Sequence, residues 1–144
     1  MTKDIWINLP VKDIEKSKEF FTALGFSFNT EYASNDESAC LVIGDKGVVV
    51  MLFTESAFKN FTGNEIPNLN QGTEVLFSIG AESREEVDEM AQKVIKAGGT
   101  IYAEVEDNDS WMYGCGFADL DGHRWNVLYM DMSKMPRSKK WVCH

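Results

Sequence analysis

Few side chains in this chain of 144 residues have the type and spacing needed for familiar chemistry. It has only two histidines, His123 and His144, so neither a His-Glu-x-x-His motif nor a three-histidine site can form. The three cysteines, Cys40, Cys115 and Cys143, form no Cys-x-x-Cys pair, which argues against a zinc ribbon or a redox pair. The sequence also has no Gly-x-Ser-x-Gly nucleophile elbow and no glycine-rich phosphate loop. These absences exclude most familiar hydrolytic, redox and phosphate-binding sites.

The acidic balance of the chain narrows its expected partners. With 14 basic and 23 acidic residues, the formal net charge is −9. Such a surface repels nucleic-acid phosphates and anionic lipid, so we expect neither as a partner. The longest apolar run, Val48–Phe53, is far shorter than the roughly 20 residues of a membrane helix. No apolar signal core follows the first residues, and together with the cysteine pattern this predicts a cytoplasmic protein.

Hydrophobic periodicity predicts the elements that must position any site. Apolar side chains at every second residue indicate strands, while Asp13 and the Ser83-x-x-Glu86 capping box precede segments with helical spacing. Gly25 and Gly98-Gly99 end these two helices. The predicted strands are Ile5–Val11, Ser27–Tyr32, Ala39–Ile43, Val48–Phe53, Glu74–Ile79, Thr100–Val105, Met112–Ala118 and Arg124–Met130.

The predicted elements run β-α-β-β-β twice, which indicates a tandem duplication. Val11 and Ile79 close equivalent strands in this alignment, 68 residues apart. Gly47 and Gly122 open equivalent final strands, 75 residues apart. The second helix is the longer one, which accounts for the difference between the two offsets.

The duplication also predicts the domain organisation. Residues 1–53 form the first module, 54–73 an asparagine-rich linker, 74–131 the second module and 132–144 a basic tail. We therefore expect an α+β fold in which two tandem βαβββ modules form curved mixed sheets around a cavity, within one structural domain.

Strand alternation sorts the side chains onto two faces of the predicted sheets. One face is continuously apolar, from Ile5 to Tyr129, and should pack under the helices. The other face mixes large apolar side chains with one carboxylate and two carboxamides, which is the composition of a ligand cavity. Its predicted residues are Trp6, Asn8, Val49, Met51, Phe53, Glu74, Leu76, Ser78, Asn126 and Leu128. Trp111 and Tyr113, which follow an acidic loop, are expected to flank the entrance of this cavity.

Several motifs, spread over nearly the whole chain, resemble those of one family. They are Leu9-x-Val11-x-Asp13, Leu24-Gly25-Phe26, Ala97-Gly98-Gly99 and Phe117-x-Asp119-x-Asp121-Gly122-x-x-Trp125. With these motifs the chain resembles the vicinal oxygen chelate superfamily, which includes glyoxalases, bleomycin- and fosfomycin-resistance proteins and extradiol dioxygenases. It is similar to the subgroup of predicted lactoylglutathione lyases. The resemblance implies a homodimer with the duplicated fold, but it does not select a reaction, because the superfamily runs several chemistries on one scaffold.

The resemblance also implies where a metal ion would bind. Metal-dependent members hold a divalent ion with four ligands, commonly His, Gln or Glu, on the first and last strands of each module. The matching positions in this chain are Trp6, Met51, Glu74 and Asn126. Glu74 suits a hard cation and Asn126 binds one weakly, whereas a thioether and an indole do not suit it. A divalent metal on Glu74 and Asn126 stays open, but we expect no conventional metal site.

Each candidate residue has a structural alternative. Glu74 would be a general base if burial favoured its protonation, or else a carboxylate that is solvated or hydrogen-bonded by Asn8 or Asn126. Asn126 would orient a ligand carbonyl or simply fill the place of a lost metal ligand. Trp6 would fill the former metal position or stack on a flat ligand. His123, beside a hairpin turn, is expected to be exposed or structural rather than catalytic.

Three functions fit these residues. The first is a protein that binds a small aromatic or hydrophobic molecule without a conventional metal site. The second is a glyoxalase-like lyase or isomerase, either metal-dependent with unusual ligands or metal-free with Glu74 as base. The third is a protein-interaction module whose cavity is closed by Trp6, Met51 and Phe53, with Trp141-Val142 as its apolar contact segment. We favour the first, because the chain keeps the mixed cavity face but lacks the four-ligand set.

Overall fold

The computed structural model describes residues 1–31, 35–108 and 110–136. The chain divides into two compact units, Met1–Gly72 and Thr73–His144. Most of the basic tail predicted at 132–144, including Trp141-Val142, lies outside the described residues. Within the described ranges, no helix is both long and apolar enough to cross a membrane.

The first unit has the predicted βαβββ order and adds one helix. Its elements are β1 (Ile7–Val11), α1 (Ile14–Ala23), β2 (Ser27–Phe28), β3 (Ser38–Ile43), β4 (Val48–Thr54) and α2 (Glu55–Thr62). The four strands form one sheet in the order β1-β4-β3-β2. β1 and β4 are parallel, whereas β3 is antiparallel to both of its neighbours. The first strand therefore lies at a sheet edge, beside the last strand of the unit.

The second unit repeats this arrangement. Its elements are β5 (Leu76–Gly80), α3 (Arg84–Ala97), β6 (Thr100–Asn108), β7 (Met112–Ala118), β8 (Arg124–Met130) and a short 3-10 helix (Met132–Lys134). The strand order is β5-β8-β7-β6, with β5 and β8 parallel and the other two pairs antiparallel. The identical topology of the two units confirms the predicted α+β fold of two βαβββ modules with mixed sheets.

Some element boundaries differ from the sequence prediction. β2 has only two residues, because the side chain of Asn29 accepts a hydrogen bond from the Glu31 amide and turns the chain at once. The segment expected as a linker starts with α2, which Thr54 caps by accepting from the amide of Ala57. β6 extends to Asn108, beyond the predicted end, and its pairing with β7 is irregular.

Both predicted helix starts are confirmed by their caps. The carboxylate of Asp13 accepts from the Lys16 amide at 3.1 Å, and the hydroxyl of Ser83 accepts from the Glu86 amide at 3.1 Å. The Glu86 carboxylate accepts from the amide of Glu82 at 2.8 Å, one residue before the position that a regular capping box uses. The amide of Glu86 in the first turn of α3 and the amide of Glu82 just before the helix thus both have hydrogen-bond acceptors close by in the sequence.

Each unit buries an apolar face of its sheet against its own helix. The buried apolar side chains of the first unit include Leu9, Ile14, Phe20, Phe21, Leu24, Leu41, Val50 and Leu52. Those of the second unit include Val87, Ala91, Val94, Phe117, Trp125 and Val127. Leu9, Trp125 and Val127 of the predicted inner face are buried, whereas Ile5, Ile7 and Val75 are exposed.

The turn between β7 and β8 is organised around the buried carboxylate of Asp119. One carboxylate oxygen accepts from the amides of Asp121 and His123, both at 3.0 Å, and the other accepts from the indole N–H of Trp125 at 3.1 Å. His123 is buried, so the expectation that it is exposed is wrong. The Asp-x-Asp-Gly motif therefore fixes a turn and anchors a core tryptophan.

Candidate functional site

Each sheet has one face under its helix and one face turned away from it, which we call the distal face. α1 packs on the first sheet and α3 packs on the second. Because successive side chains of a strand point to opposite sides, the neighbours of the buried Leu52 and Val127 lie on the distal faces. These neighbours include Met51 and Asn126, which the sequence predicted on the face opposite the helices.

The distal face of the first sheet is largely apolar. Asn8 of β1 is the ladder partner of Met51 of β4. Trp6 precedes β1 and is 56% exposed. Phe53 packs edge to face on Phe61 of α2, with ring centroids 5.0 Å apart. Phe53 is therefore engaged with α2, while Trp6 presents its ring to solvent in the described structure.

The distal face of the second sheet centres on Asn126. Its ladder partner on β5 is Ser78, and its amide nitrogen donates to the Ser78 hydroxyl at 3.5 Å. The hydroxyl of Tyr102 donates to the carbonyl oxygen of Asn126 at 3.4 Å. These two long hydrogen bonds orient the carboxamide and leave one of its N–H groups for another acceptor.

Tyr102 and Arg124 belong to this face and were not among the predicted site residues. A Cβ atom at Gly116 would lie 2.6 Å from the Tyr102 ring, so the ring rests on the backbone of β7 where a side chain is missing. The guanidinium carbon of Arg124 lies 4.1 Å from the centroid of the same ring. Gly114 likewise leaves room for Leu128. The Gly-x-Gly spacing inside a predicted strand was the signal for such close packing.

The strand ladders define which residues of the two units are equivalent. Asn8 pairs with Met51 in the first unit, and Ser78 pairs with Asn126 in the second. The two ladders require the offset between the first strands to be five residues smaller than the offset between the last strands. With the last strands 75 residues apart, as the hairpin glycines predict, the first strands are 70 residues apart and not 68.

The helix caps support the larger offset, because Asp13 and Ser83 are also 70 residues apart. The predicted offset is therefore wrong by two residues. A shift of two keeps every side chain on the same face, so the apolar pattern could not reveal it. With the corrected offset, the residue equivalent to Trp6 is Leu76 and not Glu74.

Glu74 does not share the hydrogen bonds of Asn126. It is exposed and precedes β5, four residues before the ladder partner Ser78. The hydrogen bonds of Asn126 run to Tyr102 and Ser78, and Glu74 takes no part in them.

Tyr113 lies on the opposite face of the second sheet from Asn126, and Trp111 is buried. Tyr113 lies on the α3 side of β7, where its hydroxyl donates to the carboxylate of Asp88 at 2.7 Å. This hydrogen bond raises the pKa of Tyr113. Trp111 is buried, and its carbonyl accepts from the amide of Asp131 at 2.7 Å. The Tyr113 hydroxyl and the Trp111 carbonyl thus form hydrogen bonds within the second unit.

The two described cysteines are buried and unpaired with each other. Burial raises the pKa of Cys40 and, with help from the carboxylates of Asp88 and Glu104, the pKa of Cys115. A thiol held protonated is a poor nucleophile, so both behave as small apolar residues.

The residues present do not fit a divalent metal ion. Among residues 1–31, 35–108 and 110–136, no three His, Cys, Asp or Glu side chains lie close enough together to hold one. With the corrected offset, the four positions at which the resemblance implies metal ligands carry an indole, a thioether, an isobutyl group and a carboxamide. Of these four groups, only the carboxamide of Asn126 offers an oxygen to a hard cation, and that oxygen already accepts from Tyr102.

Comparison with known proteins agrees with this fold. A family model described as "Bleomycin resistance protein-like N-terminal" matches residues 3–44. The hypothetical protein SA1046 from S. aureus is 36% identical, with a TM-score of 0.80 over 90% of this chain and 95% of that chain. No curated protein sequence matches the chain.

More distant solved structures share the fold. A glyoxalase-related enzyme from Fulvimarina pelagi is 17% identical, with a TM-score of 0.74 over 90% of this chain and 88% of that chain. The fosfomycin resistance protein FosX from Listeria monocytogenes, solved with Mn(II) and a sulfate ion, is 18% identical, with a TM-score of 0.68 over 99% of both chains. At these identities the similarity concerns architecture, not the residues of a site.

Proposed function

We propose that the chain, which resembles the glyoxalase/bleomycin resistance/dioxygenase (vicinal oxygen chelate) superfamily in its motifs and fold, binds a small, mainly apolar organic molecule without a protein-bound metal. The observation that carries the proposal is the composition of the distal face of the second sheet. Within the second unit, Leu76, Leu128 and Asn126 supply apolar surface and one carboxamide on the same distal face. This composition suits an apolar ligand that is oriented by one hydrogen-bonding group.

The polar groups of the second distal face support the proposal. Asn126 is held by Tyr102 and Ser78, so its carboxamide is oriented before any ligand arrives. Leu76 is 50% exposed, and Leu128 lies over Gly114 on the same face. A preorganised carboxamide beside accessible apolar surface lowers the ordering entropy that binding would otherwise have to overcome.

Metal analysis is the first test of this proposal. We expect well under one Mg, Mn, Co, Ni or Zn per purified chain, and no change in melting temperature when each ion is added. A tightly bound ion would stabilise the fold by about 2.7 kcal/mol at a hundredfold excess over Kd, which melting detects. Stoichiometric metal with a matching rise in Tm would overturn the proposal and favour the metal-dependent lyase.

Binding of a neutral aromatic probe is the second test. We expect N-phenyl-1-naphthylamine to bind with enhanced fluorescence, and Leu76→Glu to weaken its binding at least tenfold. Ile95→Glu on α3, where the side chain is 56% exposed, is the matched control and should not change binding. Glu74→Gln should change the Kd less than twofold, because Glu74 lies outside the proposed site. Equal loss in Leu76→Glu and Ile95→Glu would contradict the assignment of this face.

The homodimer and the reduced environment implied by the sequence belong to the same proposal. Apolar side chains at the β1 edge of the first sheet, Ile5, Trp6 and Ile7, are exposed in the single chain. Edge strands with such side chains favour pairing with another chain. The buried, unlinked Cys40 and Cys115 are compatible with the reducing cytoplasm.

A further inference from the structure

Arg124 occupies a position on the second distal face that the function proposed above does not use. It begins β8, two residues before Asn126, and its ladder neighbours are Leu76 on β5 and Ala118 on β7. Its guanidinium stacks on the Tyr102 ring, 4.1 Å from the ring centroid. Stacking fixes the plane of the guanidinium and leaves its edge N–H groups for an acceptor in that plane.

Within the described part of the chain, this guanidinium has no carboxylate within 4.0 Å. Arg84, the other arginine in that part, is paired with Asp107 at 2.8 Å. The contrast is informative because acidic residues outnumber basic ones by 23 to 14. A half-buried guanidinium that no neighbouring acid neutralises is suited to pairing with an anion from outside.

Neutral hydrogen-bonding groups lie beside the cation. The Tyr102 hydroxyl contacts the Asn126 carboxamide, whose remaining N–H is available for an acceptor. Burial raises the pKa of Tyr102, so the hydroxyl adds no negative charge near neutral pH. Apolar surface adjoins this polar group, because Leu128 lies over Gly114 and Leu76 neighbours Arg124.

We propose that the second distal face binds an organic carboxylate. The Arg124 guanidinium pairs with the carboxylate, the free N–H of Asn126 donates to it, and the apolar body of the ligand rests on Leu76 and Leu128. This inference rests on the proposed small-molecule function and narrows its ligand class to an anion with an aromatic or aliphatic body. The screening length of about 8 Å at physiological salt keeps distant acidic residues from cancelling the local attraction.

Two probes with the same body test the inference. 2-Naphthoate carries the carboxylate and 2-naphthamide is its neutral counterpart, and calorimetry measures both affinities. We expect the chain to bind the naphthoate at least tenfold more tightly, and Arg124→Gln to remove this preference while the naphthamide affinity changes less than twofold. Arg124→Lys should recover only part of it, because an ammonium cannot form the planar two-bond pairing. Arg84→Gln, on the α3 side, is the matched control and should retain the full preference.

The outcomes separate this inference from the proposal on which it rests. Equal binding of both probes, unaffected by Arg124→Gln, would overturn the carboxylate assignment and leave the small-molecule function standing. Failure of both probes and of N-phenyl-1-naphthylamine to bind would overturn the function itself. Competition by inorganic phosphate at the same concentration as the naphthoate would show that charge alone is recognised, which contradicts a site for an organic anion. Melting curves establish that each variant is folded, and Arg124→Lys provides the test if Arg124→Gln does not fold.

Discussion

Gly116 determines where the ring of Tyr102 can lie. Any Cβ at this position would come within 2.6–2.8 Å of three atoms of the tyrosine side chain, a separation that packed atoms do not tolerate. The ring in turn supports the guanidinium of Arg124 and directs its own hydroxyl to Asn126. The missing side chain on β7 therefore positions three polar groups of the candidate site.

Gly116→Ala is expected to displace Tyr102 and lower the free energy of unfolding by about 1–3 kcal/mol, as overpacking does. Gly80→Ala is the matched control, because a Cβ there meets nothing within 4 Å. Urea denaturation measures both changes. Gly116→Ala should also remove the preference for naphthoate over naphthamide. A variant as stable and as selective as the parent chain would show that Tyr102 does not depend on this glycine.

At the scale of elements, α3 is fastened to the second sheet by polar contacts at its N-terminal half. Arg84 pairs with Asp107 of β6 at 2.8 Å and donates to the carbonyl of Ser110 at 3.1 Å. One turn later, Asp88 accepts from the hydroxyl of Tyr113 on β7 at 2.7 Å. The guanidinium of Arg84 also lies 5.0 Å from the centroid of the Tyr113 ring. These contacts join the helix to two strands outside the apolar core.

The hydrogen bond between Tyr113 and Asp88 predicts a pH-dependent contribution to stability. It raises the folded-state pKa of Tyr113, so the contribution is fully present below the unfolded pKa of about 10 and is lost as pH rises through the folded value. Tyr113→Phe should lower the free energy of unfolding by about 0.5 kcal/mol at pH 8, since the bond is exposed.

Urea denaturation between pH 8 and 11.5 checks this expectation, with the difference between Tyr113→Phe and the parent chain shrinking toward zero at the alkaline end. Tyr129→Phe is the control, because that ring also lies near Arg84, at 5.9 Å. Its hydroxyl has no hydrogen-bond partner among the described residues. A difference that stays constant with pH would contradict the role of the hydroxyl.

The sequence predicted the elements more successfully than their register. The predicted ends of β7 and β8 match the observed ones. The alternation of apolar and polar side chains and the Asp121-Gly122 turn both indicate the same strand boundaries. The equivalence of β1 and β5 was wrong by two residues, because a two-residue shift preserves the alternation of faces. Because of that error, Glu74 was predicted as the residue equivalent to Trp6, whereas the ladder with the corrected offset gives Leu76.

Tyr102 and Arg124 were missed for a different physical reason. β6 pairs irregularly with β7 between Ile101 and Glu106, so alternation along the strand does not give the direction of Tyr102. Arg124 follows a turn, where the sequence alone predicts a solvent-exposed charge. Only the structure shows its contact with the Tyr102 ring. Packing against Gly116, rather than local pattern, decides both positions.

At the scale of the whole molecule, the proposed homodimer has to compete with a net charge of −9 on every copy. Repulsion between two such chains opposes association, and salt weakens that repulsion. Burial of apolar side chains at the β1 edge would have to stabilise the dimer by more than this repulsion destabilises it. Ile5 offers such surface, because it is 88% exposed in the single chain. Dimerisation should therefore strengthen, not weaken, as ionic strength rises.

Ile5→Lys is expected to shift the chain from dimer to monomer, measured as molar mass by light scattering after size-exclusion chromatography. The added lysine lowers the net negative charge, so any loss of association must come from lost apolar burial rather than from greater repulsion. Ile95→Lys on α3 makes the same chemical change at another exposed isoleucine and should leave the dimer intact. The melting temperature of each variant at low concentration should stay near that of the parent, because the Ile5 side chain contributes little to the core of its own chain.

A dimer that persists in Ile5→Lys but dissociates in Ile95→Lys would move the interface from β1 to α3. Parent chain that is monomeric at every salt concentration would remove the dimer from the proposed function.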